Sequence, residues 1–71
     1  MKARELKRVL MRAPLDYSEV RRRGSHCRLE AEGRPVLTFA FHDSDTIPPG
    51  LVKKILVRDV GLSEDEARGL L

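Results

Sequence analysis

The sequence predicts an α+β fold, a three-stranded antiparallel sheet with two helices on one face and a short C-terminal helix. Three observations predict it. Leu6, Val9, Leu10 and Ala13 recur at i, i+3, i+4 and i+7, one stripe of a helical period. Cys27, Leu29 and Ala31, and then Leu37, Phe39 and Phe41, alternate with other residues as a half-buried sheet requires. A second helical pattern follows Pro48 and Pro49. A meander with one apolar face buries that face under both helices and leaves the other open.

The first helix is predicted over Lys2–Ala13, with Lys7, Arg8 and Arg12 off the apolar stripe and Pro14 stopping it. Leu15–Arg22 reads as the first strand, anchored by Tyr17 and Val20, and Arg23-Gly24 as a turn. Ser25–Ala31 is the second strand, and Gly33-Arg34-Pro35 turns the chain into the third, Val36–His42. His42-Asp43-Ser44-Asp45-Thr46 is a polar loop. The helix opened by the two prolines buries Val52, Ile55, Leu56 and Val60, and Gly61 closes it. Ser63 and Glu66 form a capping box before a last helix with Ala67, Leu70 and Leu71 on its apolar side.

Seventy-one residues suit one domain over 1–71, with 63–71 as a short helical extension. A dinucleotide-binding domain or a kinase cannot fit. With three aromatic residues, Tyr17, Phe39 and Phe41, the core must be thin and aliphatic, which makes a partner plausible. No apolar run approaches the ~20 residues of a membrane span. The charged N-terminus is not followed by an apolar stretch, so no signal peptide is expected. The single cysteine, Cys27, excludes an intrachain disulfide and fits a reducing cytoplasm. Net charge is +3, but its distribution says more: residues 1–30 carry nine bases and four acids, residues 31–71 five bases and seven acids. Ten of the 14 bases are arginine, which clamps phosphate through two hydrogen bonds. The basic half suits a polyanion, with RNA or DNA the natural candidate, or else a solvated surface.

Keeping both alternating sets inside pairs 27 with 41, 29 with 39 and 31 with 37, which places His26 opposite His42 on the open face. A two-residue Arg23-Gly24 turn then sets Arg21 opposite His26 and Glu19 beside Arg28, provided that no bulge intervenes. Such a cluster could cleave RNA. A base takes the 2′-hydroxyl proton, an acid protonates the leaving 5′ oxygen, and a cation steadies the phosphorane. Imidazole suits both proton transfers, and Arg21, Arg22, Arg23 and Arg28 could hold the phosphate. Two solvated surface histidines are the plainer reading. A zinc site is disfavoured, because adjacent His26 and Cys27 point to opposite faces and no Cys-x-x-Cys or His-x-x-x-His spacing exists. Cys27 lies on the core face and reads as a small buried apolar residue.

Lys2 to Leu10, then Arg21-Arg22-Arg23-Gly24-Ser25-His26, a hairpin, Pro49-Gly50-Leu51-Val52-Lys53-Lys54-Ile55-Leu56 and Gly61-Leu62 together resemble the HicA (YcfA-like) mRNA interferase toxins, over residues 1 to about 62. The resemblance implies a double-stranded-RNA-binding-domain-like αβββα fold. It implies a type II toxin, an endoribonuclease that cleaves mRNA without a metal or other cofactor. The Gly-Ser-His histidine, here His26, would be catalytic; His42 is its candidate partner from the register above, and the resemblance alone gives it no catalytic role. Arg21, Arg22, Arg23, Ser25 and Arg28 would contact RNA. A HicB-like antitoxin is the implied protein partner, the toxin being a monomer when free. The chain departs from the family pattern in four places: Cys27 follows the histidine, Pro14-Leu15-Asp16 replaces a Gly-aromatic element, Ile55–Gly61 reads as one residue longer than usual, and Ser63–Leu71 adds an optional helical tail. The alternative is a non-catalytic RNA-binding or protein-interaction domain of the same fold. Neither a Gly-x-x-Gly loop nor an RNA-recognition aromatic pair is present.

Overall fold

Residues 1–71 are all described by the structure, a computed structural model. The elements run α1 (Ala3–Met11), β1 (Ser18–Arg23), β2 (His26–Glu30), β3 (Leu37–Ala40), α2 (Pro49–Lys54), a π-helical turn (Ile55–Asp59) and α3 (Glu64–Leu70). The sheet is antiparallel with strand order β1-β2-β3, so the expected α+β, αβββα arrangement is the one observed. One core of 16 buried residues draws on every element except β1, whose residues are all exposed: Leu6 and Leu10 of α1, Cys27 and Leu29 of β2, Leu37 and Phe39 of β3, Val52 of α2, Ile55 and Leu56 of the π turn, and Ala67 of α3.

The first helix stops two residues before the expected end. The residue before a proline is pushed out of the helical region, so Ala13 cannot extend α1, and Arg12 is already extended (φ −102°, ψ 167°). Its carbonyl instead accepts from the N–H groups of Leu15 and Asp16 at 3.0 and 2.9 Å. Asp16 takes a left-handed φ of 54°, which Asp tolerates better than most side chains. The strand therefore begins at Ser18, while Leu15 and Tyr17 are fully buried from the preceding turn. Tyr17 donates its hydroxyl to the Pro35 carbonyl at 2.8 Å, tying β1 to the β2–β3 loop. Burial pushes its phenol pKa up.

Val20 does not anchor β1. It is 53% exposed, at a bulge where the pairing jumps from Glu19↔Leu29 to Arg21↔Arg28. The hairpin turn is Gly24-Ser25 rather than Arg23-Gly24. Gly24 has φ 62° at the first central position, where a tight hairpin of the II′ class needs it.

The predicted core of the second helix, Val52, Ile55, Leu56 and Val60, is buried. Its last spacing breaks the α period. Continuing from Val52 by seven steps would point Asp59 inward, yet Asp59 is exposed and Val60 is buried. The π turn supplies the missing step, with the Val60 N–H donating to the Ile55 carbonyl five residues back at 3.0 Å. It lies within Ile55–Gly61, the stretch read from the sequence as a departure from the family pattern. At the C-terminus, the Glu66 N–H donates to Ser63 Oγ at 3.1 Å and the Ser63 N–H to Glu66 Oε1 at 3.0 Å, the reciprocal cap read from the sequence. These bonds hold the Glu66 carboxyl below its usual range. The Arg12 guanidinium fastens α3 to α1 through the Leu70 carbonyl at 3.2 Å.

Candidate functional site

The two hairpins fix a small grid on the open face of the sheet. One row runs Arg23, His26, Ala40 across β1, β2 and β3; the next runs Arg21, Arg28, Thr38. Their neighbours Cys27, Leu29, Leu37 and Phe39 are buried on the helix side, so alternation sends all six grid residues to solvent. Arg21, Arg23, His26, Arg28 and Thr38, with Cys27 beneath, line a shallow concavity of about 320 Å³.

This register corrects the sequence expectation. Cys27 pairs with Phe39, not Phe41, and Leu29 with Leu37, not Phe39, a shift of two residues. His26 therefore faces Ala40 on one side and Arg23 on the other, where His42 and Arg21 were expected. Glu19 pairs with Leu29 instead of lying beside Arg28. The expected register assumed that Phe41 is as buried as Phe39. Phe41 is instead half-buried at the sheet margin, packed edge-on against Phe39 at a centroid distance of 5.2 Å. Beyond it the chain leaves the sheet. The His42 N–H donates to Asp45 Oδ2 and the Asp45 N–H to the His42 carbonyl, both at 2.9 Å, closing a turn. That loop is drawn to the N-terminus by Ile47 N–H donating to the Met1 carbonyl (2.7 Å) and Ala3 N–H to that of Asp45 (2.8 Å). His42 does not line the concavity that holds His26.

The arginines divide along the same alternation. Arg22 pairs with core-facing Cys27, and its side chain is engaged by Glu19 at 3.6 Å and by the Gly24 carbonyl at 3.2 Å. Glu19 also accepts from Lys7 at 3.1 Å, a contact that lowers its pKa. Arg22 and Ser25, which sits in the turn, are thus outside the concavity. Arg21 and Arg28, by contrast, are directly opposed like charges, an arrangement that costs stability in a sheet. Glu30 relieves Arg28 through a 2.9 Å ion pair, while Arg21 and Arg23 have no carboxylate partner. An anion over this face would remove the repulsion. The Cys27 thiol is buried with its pKa pushed up by burial, and it contacts the Phe39 carbonyl at 3.5 Å, so it is a core group.

Thr38 is the grid member that sequence reasoning missed. Alternation alone puts it on the open face, but its place opposite Arg28 depends on the register, which the loop lengths conceal. A larger groove of about 670 Å³ follows the outer edge of β3 against Leu51, Lys54, Ile55, Arg58 and Asp59. It contains no imidazole; His26, in the smaller concavity, is the one histidine that lines a depression of the surface.

The structure is a small α+β domain, a helix-backed sheet whose open face carries arginines without carboxylate partners and one exposed imidazole. The chain belongs to the HicA toxins of bacterial toxin–antitoxin systems, whose family model matches residues 3–62. No curated protein sequence and no solved structure matches it. No helix is long and apolar enough to cross a membrane.

Proposed function

We propose that this chain is a cytoplasmic mRNA-cleaving toxin, a metal-independent endoribonuclease in which His26 moves the proton, kept inactive by a HicB-like antitoxin. The observation that supports it above the others is the place of His26, exposed and flanked by Arg21, Arg23 and Arg28 on the uncovered face. The phosphate of a single strand would lie over the guanidiniums, whose paired N–H donors match its oxygens. His26, neutral, takes the proton of the adjacent 2′-hydroxyl. The 2′ oxygen then forms its bond to phosphorus as the bond from phosphorus to the 5′ oxygen breaks, and that oxygen collects a proton from solvent. The arginines stabilise the extra negative charge of the phosphorane. The products are a 2′,3′-cyclic phosphate and a 5′-hydroxyl. His42 has no part in this step.

His26→Ala should lower the cleavage rate by about 10²–10⁴, the usual contribution of a positioned acid or base, and relieve growth arrest when the chain is expressed without its antitoxin. Cleavage that persists at the wild-type rate refutes the role of His26. Loss of cleavage in a chelator with recovery on added metal refutes metal independence. A wild-type chain that binds RNA and never cuts it returns the protein to the non-catalytic alternative.

A further inference from the structure

We propose that Thr38 is a subsite for a ribose 2′-hydroxyl and gives this face its preference for RNA over DNA. The inference rests on the reading that the face binds RNA with one ribose beside His26, and not on the cleavage step itself. Set on phosphate, which is the same in both nucleic acids, Arg21, Arg23 and Arg28 hold DNA as well as RNA. What separates the two is the 2′-hydroxyl, both donor and acceptor. A guanidinium can donate to that oxygen, but only a group that also accepts can answer both of its functions. Among the residues lining the concavity the choice is short. The Cys27 thiol is buried and turned to the Phe39 carbonyl. His26 is taken up by the ribose that it faces in the proposed function. Thr38 carries the one hydroxyl in the lining.

That hydroxyl is free. Thr46, the other threonine, accepts from Lys2 Nζ at 3.2 Å, whereas Thr38 makes no side-chain hydrogen bond within the chain. Thr38 is exposed on β3, directly across from Arg28 and diagonal to His26. Diagonal neighbours stand about 7–8 Å apart, which sets Thr38 beside the ribose next to the one His26 addresses. Its branched side chain on a paired strand is stiff about χ1, so the oxygen is held in one place rather than swept across the face.

The test uses the His26→Ala chain, so that RNA stays intact, and fluorescence anisotropy with a single-stranded RNA oligonucleotide and the DNA of the same sequence. Thr38→Val, nearly isosteric and solvent-facing, should weaken RNA binding about fivefold, the equivalent of one hydrogen bond of about 1 kcal/mol. DNA binding and the salt dependence should not change, and Thr38→Ser should restore the RNA preference. Equal weakening on both oligonucleotides, no weakening, or a parent chain that binds RNA and DNA alike overturns the proposal. If the wild-type chain fails to cut RNA but Thr38→Val still erases the RNA preference, the subsite stands and the nuclease reading alone fails.

Discussion

Arg21, Arg22 and Arg23 are consecutive and chemically identical, yet the structure assigns them to opposite sides of a sheet, and salt can tell them apart. Arg21, Arg23 and Arg28 line the concavity; Arg22 is tied to Glu19 and the Gly24 carbonyl. Each arginine that neutralises one phosphate of a single strand contributes about 0.7 to the slope of log affinity against log salt. Three give a slope of about −2, an affinity loss near 20-fold for a fourfold rise in salt. Removing one by Arg→Gln at 21, 23 or 28 should flatten the slope to about −1.4 and cut that loss to about sevenfold. Arg22→Gln should leave the slope where it was. The assay is a series of anisotropy titrations of a single-stranded RNA with the His26→Ala chain at several potassium chloride concentrations. An Arg22→Gln slope as flat as that of Arg21→Gln would refute the division of the face. A parent slope of about −4 or steeper would show that Arg4 or Arg8 of α1, or Arg12 just beyond it, also meets phosphate, and would refute the confinement of the ligand to the sheet.

Stability predictions at two sites, Tyr17 and the α3 cap, accompany it. Tyr17→Phe leaves the Pro35 carbonyl without its partner, and should cost about 1 kcal/mol, or about 4–8 °C in melting temperature for a domain of this size. Because burial raises the Tyr17 pKa above its ordinary 10.0, the stability tied to its neutral form is complete below that value and lost as pH rises through the folded-state pKa. Thermal melts across that range should show the alkaline loss in the wild type and less of it in Tyr17→Phe. Ser63→Ala removes the hydroxyl acceptor of the α3 cap and should cost about 1 kcal/mol, read by chemical denaturation. The lowered Glu66 pKa means that its contribution is present above the ordinary 4.5 and lost as pH falls through the depressed value, so Glu66→Gln should flatten the acid limb of the stability profile.

The elements were legible because their signals are local. The stripe Leu6, Val9 and Leu10, the alternation through Cys27 and Leu29, and the reciprocal cap of Ser63 and Glu66 each lie within a few neighbouring residues. The register was not, because it is set by turns and bulges that shift pairing without altering periodicity. A bulge at Val20, a turn one residue later than read, and the departure of the chain after Phe41 each leave the apolar pattern intact. Together they replace His42 with Ala40 opposite His26 and exchange Arg21 for Arg23. His26 itself was legible from the motif, and the exclusion of Arg22 followed only from its neighbours in space.

The five-back hydrogen bond between Val60 and Ile55 also separates backbone length from core composition in this arm. The surplus residue is taken up as slack on the solvent side, where Asp59 sits, while the inward-facing wall of Val52, Ile55, Leu56 and Val60 keeps its membership. Kin that differ by one residue between Ile55 and Gly61 can therefore share an unaltered interior, and a gap placed there in a comparison of sequences marks a change of winding, not of fold.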